Sequence, residues 1–294
     1  MRLRLPLPAN FHFDAIVRSH GWYDLPPFAY DARRSILTTS VADRSRAIPI
    51  TFQAKQGKLE VISEGIERRR LAVIATRVFS LNIHLEESVS AFSGDGNLTR
   101  ALARGGGRML RAPTVFEDAV KVLFTTNCSW EATRGMVARL IALAGDEGQA
   151  FPSPSAVASF SPARLKARVR CGYRAESLSR FARRVASGKL DLSRWEDPTL
   201  SSESLRENIL AEHGFGPYAA ENLLRIFGRH DFLALDSWVR QKYRRLYPGK
   251  KSATDGSIAR RYQRFGAFRG LALWLDMTRD WHEEKERLWP RGSA

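Results

Sequence analysis

Asp236 stands between a short apolar segment, Phe232-Leu233-Ala234-Leu235, and a stretch with helical spacing, Ser237-Trp238-Val239-Arg240-Gln241-Lys242-Tyr243. A carboxylate at a helix start is held in direction by backbone N–H groups and stays ionised. It can act as a cap and nothing more, or it can stabilise a cation that develops during a reaction. Upstream, Gly214-Phe215-Gly216 joins the helical run Leu205–His213 to a second run that opens with Pro217, a residue suited to the first helical position. Two glycines one residue apart permit a tight hairpin. The N–H groups at the start of the second helix can then take a phosphate oxygen without a charged side chain. Taken alone, the segment fits an ordinary helix–helix turn equally well.

These groups need elements to position them. Apolar spacing predicts helices over 202–213, 217–228 and 237–246, and further helices at 155–167, 174–187, 257–264 and 266–287. Phe116 to Leu143 carries the same periodicity in two clusters, and Arg68 to Ala91 changes toward it. Ser155 and Ser161-Pro162 read as helix starts, Gly188 and Gly228 as helix ends. The first ninety residues differ. Ser35–Val41, Ile48–Phe52 and Leu59–Ile62 alternate with a period of two and are separated by turn formers such as Lys55-Gln56-Gly57-Lys58, so a small antiparallel sheet is expected. The fold class is mainly α with a small N-terminal α+β domain, divided as residues 1–104 and an all-helical 105–294.

Bulk properties narrow the partner. The 294 residues include 47 Lys and Arg against 31 Asp and Glu, a formal charge of +16, which suits a polyanion. Nucleic acid is the leading partner and an anionic membrane surface the second. No apolar stretch approaches the roughly 20 residues that span a bilayer. The start, Met1-Arg2-Leu3-Arg4-Leu5-Pro6, lacks the apolar core of a signal peptide, so a cytoplasmic, nucleoid-associated monomer is expected. Cys128 and Cys171 are the only cysteines and neither belongs to a Cys-x-x-Cys pair, which excludes a four-cysteine iron–sulfur cluster within the chain.

The ordered series Gly107-Arg108-Met109-Leu110-Arg111, Phe116-Glu117, Thr125-Thr126-Asn127, Gly172-Tyr173-Arg174-Ala175, the hairpin, Asp236 and Phe265–Ala272 resembles the helix-hairpin-helix DNA glycosylases with a Gly/Pro-rich loop and a catalytic aspartate. Within them the likeness is to the branches acting on alkylated bases and on 8-oxoguanine. The resemblance implies that a damaged nucleotide is flipped out of duplex DNA into a pocket between domains. Asp236 would stabilise the oxocarbenium-like sugar and assist the attacking water. Bifunctional members carry at position 218 a lysine that forms a Schiff base; Tyr218 cannot, so a hydrolytic, monofunctional enzyme is implied.

Further roles follow from the same resemblance. Tyr218 and Asn222, with Trp22 and Phe28 from the first domain, would line the base pocket, although core packing also accounts for the last two. Asn127, Cys128, Tyr173 and Arg174 match the wedge and the contacts to the opposite strand. Gly214, Gly216, Arg240 and Lys242 would meet the DNA backbone; the wider basic run of Arg244, Arg245, Lys250 and Lys251 reads otherwise as a solvated face. Main-chain oxygens of Leu210, Glu212 and Phe215 would hold a structural Na+ or K+, and no other cofactor is required. The expected substrate is an alkylated purine of the 3-methyladenine type. An 8-oxoguanine glycosylase is the alternative in the same class, and a non-catalytic helix-hairpin-helix DNA-binding protein the alternative in another.

Overall fold

The computed structural model describes residues 1–8, 10–248 and 254–283. Five antiparallel strands form one sheet in the order β1 (Arg2–Pro6), β5 (Lys58–Ser63), β4 (Arg46–Lys55), β3 (Ile36–Asp43), β2 (Ala29–Asp31). The three expected strands are β3, β4 and β5, in a register that pairs Leu37 with Phe52 and Val41 with Ile48. Gln56 and Gly57 both take positive φ, the geometry of a two-residue turn that matches strand twist. The β3–β4 turn uses Arg44 and Ser45 in the same way, without a glycine to announce it. The outer strand β1 was not anticipated. Its Arg-Leu-Arg-Leu alternation puts Leu3 into the core and pairs Leu5 with Leu59.

Helices dominate from Arg68 onward, and several expected as single rods are broken. Phe116–Leu143 becomes Val115–Thr125 and Trp130–Ala144, because Asn127 takes a left-handed φ of 46° and Ser129 caps the next helix through its side chain. Residues 155–167 divide into Pro154–Ala158 and Pro162–Val169. Ser161 and Pro162 start the second as expected, whereas the first is capped by Ser153 instead of Ser155. Arg68–Val78 ends at Ser80, which also has positive φ, before a separate Glu86–Ala91. In place of one helix over 266–287 the chain forms the end of a 3-10 turn, Gln263–Phe268, then Arg269–Met277 and Arg279–Glu283, and 284–287 lie outside the described residues. Gly188 and Gly228 adopt the positive φ of helix ends.

Apolar packing gathers into two cores. The larger joins the sheet to the helices between Val115 and Phe227 through Leu37, Phe52, Leu71, Phe116, Leu123, Phe181 and Leu223. The smaller brings Leu85, Phe92, Leu98 and Leu102 against Val239, Tyr243, Tyr262 and Leu271, so packing crosses residue 104. The Pro217–Ile226 helix belongs to the first core and the Ser237–Leu246 helix to the second. Asp236 therefore lies where the two cores meet.

Between sheet and helices runs a buried polar network. Asp118, fully buried, accepts from the Trp22 indole at 2.7 Å and the Ala112 N–H at 2.9 Å, and pairs with Arg77 at 2.9 Å. Arg77 continues to Glu196 at 3.1 Å, which also pairs with Arg111 at 3.0 Å. Arg111 donates to the carbonyl of Ile226, at the end of the second hairpin helix. The hairpin is thus tied to the sheet domain by a chain of charge-assisted bonds.

Candidate active site

The first hairpin helix, Ser202–Leu210, is capped by Ser201, and the second, Pro217–Ile226, begins with proline at its first turn. The two glycines between them are not equivalent. Gly214 has φ +91°, and a Cβ there would sit 2.2 Å from the Ser177 hydroxyl of the underlying Arg174–Ala186 helix. Gly216 has an extended φ of −88° and a Cβ there would meet nothing within 4 Å. So packing and backbone require glycine at 214 alone, while 216 opens the start of the second helix to solvent. Gly214→Ala is expected to cost about 1–3 kcal/mol from backbone strain and clash. Gly216→Ala should leave thermal stability unchanged, and should weaken duplex binding alone where this helix start meets the DNA backbone as the sequence implies. Melting curves and binding isotherms on both variants check this; equal melting temperatures would refute the distinction.

Asp236 caps the Ser237–Leu246 helix, its Oδ1 accepting from the Val239 N–H at 2.6 Å. One carboxylate oxygen is thereby fixed and the residue stays half-buried. Across from it, the Tyr218 hydroxyl donates to Thr125 Oγ1 at 3.2 Å. Burial pushes the Tyr218 phenol up, and the nearby Asp236 charge adds to this, so it is neutral at physiological pH. Asn222 donates back to the Tyr218 carbonyl at 2.8 Å. Glu221, on the same helix, accepts from the Ala234 N–H at 3.1 Å and pairs with Arg206 at 3.0 Å, which fixes the segment that delivers Asp236.

The sheet side contributes less directly than expected. Trp22 is buried, held by Asp118 and stacked on His20 with ring centroids 4.7 Å apart. Phe28 is buried under the ammonium of Lys121, 4.8 Å from its ring centre. Both are core residues in the first instance. Three aromatic residues with no predicted role pack together on the side of the helix that Asp236 caps. Trp238, two residues beyond Asp236 and partly exposed, packs with Trp274 and Trp281 at centroid distances of 5.9 Å. Trp238 was legible from its place beside Asp236. Trp274 was not, since only folding brings its helix back.

The opposite-strand group separates into two parts. Tyr173 is 64 % exposed and its hydroxyl accepts from the Asn127 amide at 3.5 Å, so these two form one projecting unit. Arg174 is only 6 % exposed and donates to the hydroxyl and carbonyl of Thr126. Through Nε and one terminal nitrogen it holds the turn that presents Asn127. Cys128 donates to the Phe124 carbonyl at 2.9 Å. Arg240 and Lys242 are each engaged by a carboxylate, Asp255 at 2.7 Å and Asp280 at 2.6 Å. Arg244 and Arg245 are exposed, and Lys250 and Lys251 lie outside the described residues.

Among the described residues no three His, Cys, Asp or Glu side chains are grouped to hold a metal. Of the three carbonyls expected at a monovalent cation, that of Glu212 accepts from the Phe215 N–H at 3.1 Å. No described helix is long and apolar enough to cross a membrane.

No curated protein sequence matches the chain. Solved structures share its fold at low identity. MBOgg1 in complex with a low-affinity DNA ligand aligns with a TM-score of 0.74 at 20 % identity over 95 % of both chains. The Clostridium acetobutylicum 8-oxoguanine glycosylase/lyase gives 0.73 at 17 %, covering 94 % of this chain and 95 % of its own. The 3-methyladenine DNA-glycosylase from Archaeoglobus fulgidus gives 0.71 at 21 %, covering 95 % and 98 %. What is shared is the fold, a mostly helical frame with a small antiparallel sheet. The model of the HhH-GPD superfamily base excision DNA repair proteins matches residues 120–267, from the helix beneath Tyr218 through the hairpin and Asp236, and the chain belongs to that superfamily.

Proposed function

We propose that the protein is a hydrolytic DNA glycosylase that excises a damaged purine from duplex DNA and leaves the strand intact. The observation that carries this is Asp236, fixed by the Val239 N–H and faced by a neutral phenol where a Schiff-base enzyme needs an amine. Breaking the C1′–N bond sends its electron pair to the base and leaves positive charge on the sugar. The free Asp236 oxygen opposes that charge without reorganisation and can accept a proton from the water that adds to C1′. Lys121, in the neighbourhood of His20, is fully buried and held by Glu117 at 2.6 Å.

The Gly216–Pro217 helix start takes a phosphate, and the Tyr173–Asn127 unit enters the gap left by the flipped nucleotide. A Na+ or K+ on the Leu210, Glu212 and Phe215 carbonyls would add positive charge beside that phosphate. Tyr218, Trp238 and Trp274 offer aromatic faces, which any purine can stack on. Stacking alone does not separate the alkylated purine expected from sequence from an oxidised one. The 8-oxoguanine alternative is favoured by a different observation, a buried cation close to Asp236, considered below.

The test is product analysis. Lesion duplexes should yield abasic strands that break only after alkali, and borohydride should trap no protein on DNA. Efficient trapping would overturn the hydrolytic assignment. Binding without base release from any duplex would leave the non-catalytic alternative.

A further inference from the structure

Most buried arginines here keep strong partners, although one terminal nitrogen of Arg77 and the Nε of Arg108 are unmatched among the described residues. Arg77 and Arg111 pair with carboxylates, and Arg108 donates to the Ser80 and Ile83 carbonyls. Arg225 is 4 % exposed and differs. Its one hydrogen bond reaches the Ala234 carbonyl at 3.5 Å, its Nε has no partner, and no carboxylate lies at ion-pair distance, all among the described residues. An unmatched buried guanidinium is among the costliest groups a fold can carry. Its position is informative. Arg225 follows Tyr218 by two helical turns on the same face and covers the Trp274 ring 4.3 Å from its centre. It lies near enough to Asp236 for that carboxylate to oppose the effect of burial on its charge.

A second unmatched group adjoins it. The Trp274 indole donates at 3.2 Å to the carbonyl of Ser19, the neighbour of His20, and His20 Nε2 is buried without a partner among the described residues. Burial holds His20 near pKa 3, with Arg225 and Lys121 adding to the effect, so its ring is neutral at physiological pH. Around Trp274 the fold therefore assembles a cationic donor and a neutral imidazole, beneath Tyr218 and beside the catalytic aspartate.

We propose that Arg225, with His20 beside it, binds a carbonyl oxygen of the flipped base, so that the enzyme selects neutral, carbonyl-bearing damaged bases over cationic N-alkylpurines. This rests on the glycosylase reading above. When the glycosidic bond breaks, its electron pair moves to the base. A neutral base then departs as an anion, which takes its proton from solvent, and Arg225 stabilises that charge as it forms. An N-alkylated purine cation departs as a neutral molecule and gains nothing from a cation. Before the reaction its charge would be repelled in a site of low dielectric. Arg225 also occupies one face of Trp274, the face whose electron density would otherwise draw a cationic base.

Single-turnover excision from duplexes identical except for hypoxanthine, 8-oxoguanine or 7-methylguanine tests this, each rate divided by that of spontaneous loss. The wild type should give the larger acceleration with a neutral base. Arg225→Met should lower release of that base about 10- to 100-fold while sparing or raising release of 7-methylguanine. Arg225→Lys, which keeps the charge, should recover part of the loss. If Arg225→Met fails to fold by thermal melting, His20→Leu provides the same comparison and should reduce neutral-base release selectively. Equal losses on neutral and cationic substrates, or greater wild-type acceleration with 7-methylguanine, would overturn the proposal and leave the glycosylase assignment standing. No release from any duplex would remove that assignment itself.

Discussion

Asp236→Asn should lower single-turnover base release by roughly 10² to 10³, while affinity for a duplex carrying an abasic-site analogue changes little. Asparagine retains an oxygen to accept from the Val239 N–H, so the helix cap and the direction of the side chain survive. What disappears is the negative charge and, with it, the proposed counter-charge to the sugar and proton acceptor for water. Because the two effects act on the transition state, the rate falls without a matching loss of binding. A variant that releases base at the wild-type rate would reduce Asp236 to a structural cap. A variant that loses affinity in proportion would show that the carboxylate organises the DNA-binding surface instead.

Asp118→Ala should produce the largest loss of stability, on the order of 3–5 kcal/mol in urea unfolding. The substitution removes one carboxylate from three donors: the Trp22 indole, the Ala112 N–H and Arg77. Arg77 keeps Glu196 and the Ala112 carbonyl but loses its fully buried counter-charge. Trp22 also loses the bond that fixes it beneath His20, so base release should decline with stability. The exposed Glu64→Ala serves as a control and should stay within about 0.5 kcal/mol of the wild type. A small effect of Asp118→Ala would mean that Glu196 alone satisfies the arginines.

Strand alternation, helix periodicity and the order of motifs are local properties, and they carried much of the architecture. The period-two runs at Ser35–Val41 and Leu59–Ile62, Pro217 at a helix start, and Asp236 before Ser237 could all be read from neighbours along the chain. Even β1 was legible in Arg-Leu-Arg-Leu, since its leucines turn inward for the same reason as Leu59 and Val61 of β5. Helix interruptions were harder. A left-handed residue such as Asn127 or Ser80 leaves apolar spacing nearly intact on both sides, so periodicity runs across the break.

Tertiary structure decided which polar groups are free to act. By residue type Arg174, Arg240, Lys242 and Arg225 are four equivalent cations. Folding gives the first a threonine to hold, the next two a carboxylate each, and the last a buried position without a carboxylate in contact. The glycines at 214 and 216 look alike, yet only one lies against Ser177. Trp274 reaches Arg225 and Ser19 because the second core folds its helix back against Asp236, and no spacing along the chain encodes that approach. Sequence by itself determined the family, the hairpin and the carboxylate that caps the helix after it, since each depends on residues adjacent in the chain. The charge and donors available to the base depend on burial and on partners distant in sequence, and these exist only once the two cores have closed around them.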